Sequence, residues 1–190
     1  VNGMYVPFRY ESTWGRNLFW MQNASDDLVT GRVRAESDNI KNFNITGREY
    51  GISEGWNDLY WMINKANQVI QGVPTATGIT EELRKRALGE AYFIRGFAHF
   101  WAAYMWGTNE LGVPFDGPEN EGFGDRLAPQ LPSVKDNYAQ IVSDMQKAAE
   151  LLPLFEAYAP ADQGRAHRAA AWAYMVKAYA YWAQYDPSKW

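Results

Sequence analysis

Apolar and polar positions alternate with helical spacing through residues 87–107, ALGEAYFIRGFAHFWAAYMWG, and the same pattern returns 82 residues later over residues 169–185. Ala87, Ala91, Tyr92, Ile94, Arg95, Gly96, Phe97, Ala98 and Phe100 fall opposite Ala169, Ala173, Tyr174, Val176, Lys177, Ala178, Tyr179, Ala180 and Trp182. Small residues four apart let a neighbouring helix come close, and the aromatic residues beyond them fill the groove that remains. The pattern predicts two equivalent helices built to be packed on.

A further helix precedes each copy. Residues 56–74 and 136–153 both carry an aromatic near the start and close on an apolar residue followed by proline, Pro74 and Pro153, which ends a helix. Two related helical hairpins in succession are the signature of stacked helix-turn-helix units of the tetratricopeptide type. The expected fold class is therefore all-α, with stacked tetratricopeptide-like hairpins over about 56–106 and 134–185 and long irregular loops. The helices are expected near 56–72, 80–106, 134–152 and 165–185. Ser133, three before Asp136, approximates a capping box at the third of these, and Gly164 before Arg165 is expected to open the fourth. Glycines and prolines forbid a continuous helix over residues 107–132, a loop long enough to be functional or disordered.

Residues 23–55 are the least periodic part of the first half and read as loop with short irregular pieces. Within them Phe43, Asn44, Arg48 and Tyr50 combine flat rings with an amide and a guanidinium. Rings stack on the apolar face of a sugar and the polar groups bond its hydroxyls, so these four are the candidate ligand contacts. The competing reading is that Phe43 and Tyr50 anchor the loop to the scaffold. Residues 1–22 are expected to begin with a short helix packed through Tyr5, Phe8, Trp14, Phe19 and Trp20. Trp190 reads as the first packing residue of something further on.

Charge and composition narrow the functional classes. A net charge of −4 and one short basic cluster, Arg84-Lys85-Arg86, argue against nucleic acid. Arg95 and Lys177 interrupt the two most apolar stretches, so no run is expected to cross a bilayer. The absence of cysteine removes thiolate metal sites and cysteine nucleophiles. The start, VNGMYVPFRYES, fits either a cytoplasmic chain or a mature segment without its export signal. Asp26, Asp27, Asp116, Glu119, Glu121 and Asp125 could in principle supply a glycosidase pair, yet all lie in loops where acids are ordinarily solvated, so no enzyme is expected. No cofactor and no metal site is expected either: residues 116–125 miss the Ca²⁺-loop pattern, and His99 and His167 read as packed, hydrogen-bonded imidazoles. Arg95 and Glu90, in the most apolar helix, are expected to pair with neighbours, and Asn67 to satisfy backbone groups.

Four motifs then carry a family likeness. Trp56, Tyr60, Ile63, Ala66 and Asn67; Glu90 to Phe100 with Tyr104, Gly107, Val113 and Pro114; Ser133 to Ile141 with Asp144, Leu152 and Pro153; and Gly164-Arg165-Ala166 with Lys177 and Tyr179 occur in family order. In these the chain resembles the N-terminal part of the SusD/RagB family of outer-membrane nutrient-binding lipoproteins of Bacteroidetes-type bacteria. Gly96 departs from a usual Ala, and His167-Arg168 from Thr-Lys. The resemblance implies a surface glycan binder that passes oligosaccharides to a SusC-like TonB-dependent transporter, anchored at the outer membrane through an N-terminal acylated Cys that this chain lacks. It also implies that the C-terminal part of the family fold lies outside residues 1–190. A peptide-binding member of the same family, or a soluble tetratricopeptide-type interaction scaffold, are the alternatives.

Overall fold

The computed structural model describes residues 1–15, 24–25, 27, 35–47, 49–115, 117 and 129–190. Five α-helices lie among them: α1 (Ala35–Lys41), α2 (Tyr50–Gly72), α3 (Glu81–Trp106), α4 (Val134–Leu151) and α5 (Arg168–Trp182). A 3₁₀ helix (Asn2–Arg9), in which Tyr5 and Phe8 meet, is the short helix expected at the start, and a π-helical turn (Glu11–Gly15) follows it; Phe19 and Trp20 lie outside the described residues. No strand occurs among the described residues; Pro114 and Gln130 form one isolated antiparallel bridge. Two compact units divide the chain, residues 1–4 with 62–190 and residues 5–61, with the boundary inside α2.

Helix starts follow local capping chemistry. The Thr80 hydroxyl accepts from the Leu83 N–H at 3.2 Å, with Glu81 and Glu82 in the first turn of α3, where carboxylates favour the positive end of the helix. Ser133 accepts from Lys135 N–H at 3.2 Å and caps α4 as its motif predicts. Helix α5 is shorter than expected. It starts at Arg168 because His167, not Gly164, provides the cap: its Nδ1 accepts from Ala170 N–H at 3.3 Å. Arg165 instead joins the polar cluster described below. Helix α2 begins six residues before the expected position, so Tyr50 and Gly51 belong to it and not to a loop.

Helix α3 is the centre of the larger unit, with Ala91, Ile94, Ala98, Phe100 and Ala102 fully buried. Gly96 faces α4 so closely that a Cβ would lie 3.0 Å from Met145 Cε and 3.1 Å from Asp144 Cβ. The Gly96 backbone therefore sits almost directly on α4, and an alanine there would press into it. Helix α5 covers another side of α3: Tyr174 meets the rings of Phe93, Phe97 and Phe100, and Tyr181 meets Phe100 and Tyr104.

Two polar networks brace this packing, the first enclosed and the second reaching the surface. The Arg95 guanidinium donates to both carboxylate oxygens of Asp144, at 2.8 and 2.7 Å, and to Asn67 Oδ1 at 3.0 Å. It thus ties α2, α3 and α4 together, with the Asn67 amide oxygen accepting from the guanidinium. In the second network the fully buried Glu90 receives Arg165 at 3.1 Å and Arg86 at 3.6 Å, and Asp162 bridges the same two arginines at 2.7 and 3.1 Å. Arg165 also donates to Asn2 Oδ1 at 2.7 Å, which fixes the chain's start to this unit.

The base of the long loop is a built element. Val113 exchanges two hydrogen bonds with the Asn137 amide, its N–H donating at 2.9 Å and its carbonyl accepting at 3.0 Å, much as a neighbouring strand would bond it. Gly112 N–H donates to Leu131 O, Phe115 N–H donates to Pro129 O, and the Gln130 amide donates to Gly112 O. Phe115 then stacks on His99 at 4.6 Å beneath Arg95.

Candidate functional site

The segment between α1 and α2 is shaped by two helix ends. At the close of α1, Phe43 N–H donates to Ile40 O at 3.1 Å and Asn44 N–H donates to Asn39 O at 2.8 Å. This paired pattern is the Schellman ending, whose left-handed position is ordinarily glycine. Phe43 occupies that position at φ 54°, the only non-glycine with positive φ among the described residues. A left-handed backbone costs a residue with a Cβ roughly 1–2 kcal/mol. Nothing in the packing repays it, since Phe43 is 76% exposed.

The far side of the segment is held by Glu49. Its carboxylate accepts the Thr46 N–H at 3.2 Å and the Thr46 hydroxyl at 3.2 Å, while its carbonyl starts α2 by accepting from Ile52 and Ser53. Its own backbone N–H, and then the Thr46 groups, hold the carboxyl below its ordinary pKa, so it stays ionised in this role. Between these fixed ends Phe43, Asn44 and Ile45 stand out to solvent. Phe43 and Asn44 are thus adjacent and exposed, as a ligand contact requires. Arg48 lies outside the described residues, and of Tyr50 the structure gives the backbone, as the first residue of α2. Of the loop carboxylates, Asp26, Asp116, Glu119, Glu121 and Asp125 also lie outside the described residues; Asp27 is exposed.

The same unit contains a polar cleft of about 380 Å³ lined by Arg9, Tyr10, Glu11, Ser12, Gly51, Glu54 and Asp58. Gly51, Glu54 and Asp58 share one face of α2 by their spacing of three and four. Asp58 is 9% exposed and accepts the Ser12 hydroxyl and, at 3.0 Å, the Thr13 hydroxyl, so its carboxylate is pinned while Arg9, Glu11 and Glu54 complete the wall. Sequence reasoning missed this cleft because it started the helix at Trp56, which left Gly51 and Glu54 in a loop. A helix started at Tyr50 would have shown the polar face.

No group of three His, Cys, Asp or Glu side chains placed to hold a metal ion occurs among the described residues. His99 is fully enclosed; its Nδ1–H donates to Arg95 O at 3.1 Å, and burial, with the Arg95 charge second, pushes its pKa down to about 3. It is a neutral packing residue. His167 is a helix cap set edge-on against Phe155 at 5.4 Å.

Helical hairpins, with no strand among the described residues, place the chain in the all-α class. The chain belongs to the SusD-like family: the family model described as starch-binding and associating with the outer membrane matches residues 4–180. A SusD-like protein of Bacteroides ovatus is 27% identical over 139 residues, 72% of this chain and 24% of that protein. Among solved structures, a SusD-like carbohydrate binding protein from Bacteroides vulgatus superposes with a TM-score of 0.80 at 21% identity, covering 96% of this chain and 41% of that one. Surface glycan-binding protein A from Bacteroides fluxus gives 0.72 at 22% identity, covering 93% and 37%. These structures share the fold. The chain spans about a quarter to a third of the length of the curated relatives it matches, 24% to 33%. No helix among the described residues is long and apolar enough to cross a membrane.

Proposed function

We propose that this chain is part of a non-catalytic glycan-binding protein of the bacterial surface, with Phe43 as the ring on which a sugar stacks and Asn44 as a bonding group beside it. The observation that carries the reading is Phe43 itself, an aromatic side chain held in solvent at a glycine-type backbone position. Backbone strain of this kind persists where the surroundings enforce it, and it gathers at ligand clamps. The family's description as starch-binding and the names of the carbohydrate- and glycan-binding relatives support a sugar as the ligand. Arg48 and Tyr50 belong to the same proposed surface as neighbours in sequence. Delivery to a SusC-like TonB-dependent transporter, with a lipid anchor at the outer membrane, extends the reading through the family's association with that membrane.

The test is a screen of neutral oligosaccharides and of peptides against the protein and its Phe43→Gly and Asn44→Ala variants. Glycine suits φ 54° without a Cβ, so Phe43→Gly is expected to retain stability within about 1 kcal/mol. Loss of the stacking ring is expected to weaken oligosaccharide binding roughly 10-fold or more, for a ring contact of about 1.5 kcal/mol. Unchanged oligosaccharide affinity in Phe43→Gly removes the site, and peptide binding without glycan binding selects the peptide-binding alternative. Co-purification of a large β-barrel from detergent-solubilised outer membranes tests the transporter.

A further inference from the structure

The polar cleft within residues 5–61 contains a carboxylate whose bonding is half complete. Asp58 is 9% exposed, and the hydrogen bonds it accepts from the Ser12 and Thr13 hydroxyls both end on Oδ2. Oδ1 takes no hydrogen bond from any described residue, although Asp58 lines the cleft. A buried carboxylate is costly until its oxygens are bonded, and it accepts hydrogen bonds without donating any. Glu54, one turn earlier on the same face of α2, lines the cleft as well and is half-buried. Its carboxylate takes no hydrogen bond from a described residue. Gly51, one turn earlier again, adds no side chain and leaves that face open. Two acceptors without donors therefore share one cleft.

Charge and volume select what would fill them. Glu11, Glu54 and Asp58 stand against one basic residue of the wall, Arg9, so the cleft is net negative. Arg9 is exposed and its charge is screened by water, whereas the Asp58 carboxylate is largely withdrawn from it. A ligand hydroxyl fills an acceptor site and leaves the charge uncompensated; a protonated primary amine brings three N–H donors and a positive charge together. The carboxylates, among the described residues, are not grouped to hold a metal ion, so the complement is an organic cation. The volume of about 380 Å³ lies at the small end of ligand pockets, roughly 300–1,000 Å³, and suits one sugar ring or one amino-acid side chain.

We propose that this cleft binds the protonated primary amine of a small ligand, with Asp58 Oδ1 and the Glu54 carboxylate as its acceptors. Arg9, on the exposed side, offers N–H donors to oxygens elsewhere on the ligand. The site draws on no part of the Phe43 surface and stands independently of the glycan reading.

Isothermal titration calorimetry of the full-length protein tests the site. Glucosamine carries the amine on a sugar ring, glucose and N-acetylglucosamine offer the ring without the charge, and Nα-acetyl-lysine methylamide offers the amine without the ring. Glucosamine, the lysine derivative or both are expected to bind at least ~10-fold more tightly than either uncharged sugar, with an affinity that falls as salt is added. Which of the two binds better assigns the amine to an amino sugar or to a lysine side chain. Glu54→Gln is expected to weaken that binding roughly 5–10-fold, and Asp58→Asn by more, since its amide puts N–H groups where the ammonium would sit. Phe43→Gly is expected to leave it unchanged, which separates this cleft from the stacking surface. Should Asp58→Asn fail to fold, Glu54→Gln decides alone. Equal affinity for the amines and the uncharged sugars overturns the proposal, as do unchanged binding in Glu54→Gln, loss of binding in Phe43→Gly, or no saturable binding of either amine.

Discussion

The Arg95–Asp144 pair shows how a charge is made compatible with the most apolar helix in the chain. Both side chains are almost fully buried, at 5% and 3% exposure, and the guanidinium is bonded by a bidentate carboxylate and an amide. Removing one partner strands the other, so Asp144→Ala is expected to cost about 3–5 kcal/mol in urea unfolding. A joint Arg95→Met, Asp144→Leu replacement should cost less than Asp144→Ala alone; the reverse order would show that the pair is not the source of the loss. His99 one turn further on makes stability depend on pH. Folded, its pKa lies near 3; unfolded, it returns to 6.5. Below 6.5 the unfolded chain holds a proton that the native chain does not, so stability falls as pH drops from about 6.5 toward 3, by at most ~1.4 kcal/mol per pH unit. Above that window His99 makes no difference. Asp162, held low chiefly by its bond from Arg165, loses its contribution only as pH falls below its ordinary 3.8, a separate window. Urea midpoints between about pH 5 and 6.5 should therefore slope in the native protein and slope less in His99→Gln; below about pH 5 Glu49, held under its ordinary 4.5, adds its own loss in both.

At the scale of the helix, the tolerance of a glycine is decided by what stands over it. Gly89 lies under Leu152, whose Cγ would be 2.8 Å from an added Cβ and which is itself fully buried. Alanine gains up to about 1 kcal/mol of helix propensity there. The overlap costs roughly 1–3 kcal/mol, so Gly89→Ala is expected to destabilise. Gly72, at φ −86° with nothing within 4 Å, should instead gain about 0.4–1 kcal/mol as alanine. Thermal unfolding of the two variants checks the opposite signs. The helices themselves were legible in the sequence where their limits are local: Ser133 caps, and Pro74 and Pro153 follow the ends. The start of α2 was overlooked although Thr46 and Glu49 have the spacing of a helix-start signal: the Glu49 carboxylate takes the Thr46 N–H while its carbonyl opens the helix. The Phe43 conformation was not legible, since a Schellman ending announces itself by glycine and this one carries an aromatic. The His167 cap was hidden for the same reason, imidazole being an unusual acceptor at that position.

Across the whole molecule, the polar networks, the aromatic contacts to α5 and the clamped base of the long loop all converge on α3, within residues 1–4 and 62–190. The unit of residues 5–61 contains the exposed Phe43 segment and the polar cleft, and its buried apolar side chains among the described residues are few, Pro7, Ile40 and Leu59. Local opening is easiest where few apolar contacts must be broken, and binding surfaces are drawn from that end of the range. Native-state hydrogen exchange should therefore rank the helices. Amides of α3 between residues 91 and 103 are expected to exchange last, through global unfolding, and to follow urea with the full unfolding slope. Amides of α1 should exchange earlier and with little urea dependence, as expected of a short helix ended by a strained cap. Phe43→Gly relieves that cap and should slow exchange in α1 while leaving α3 unchanged. If α1 and α3 exchange at one rate with one urea slope, the two units open as a single cooperative body, and the division between a rigid unit around α3 and a softer Phe43 segment is wrong.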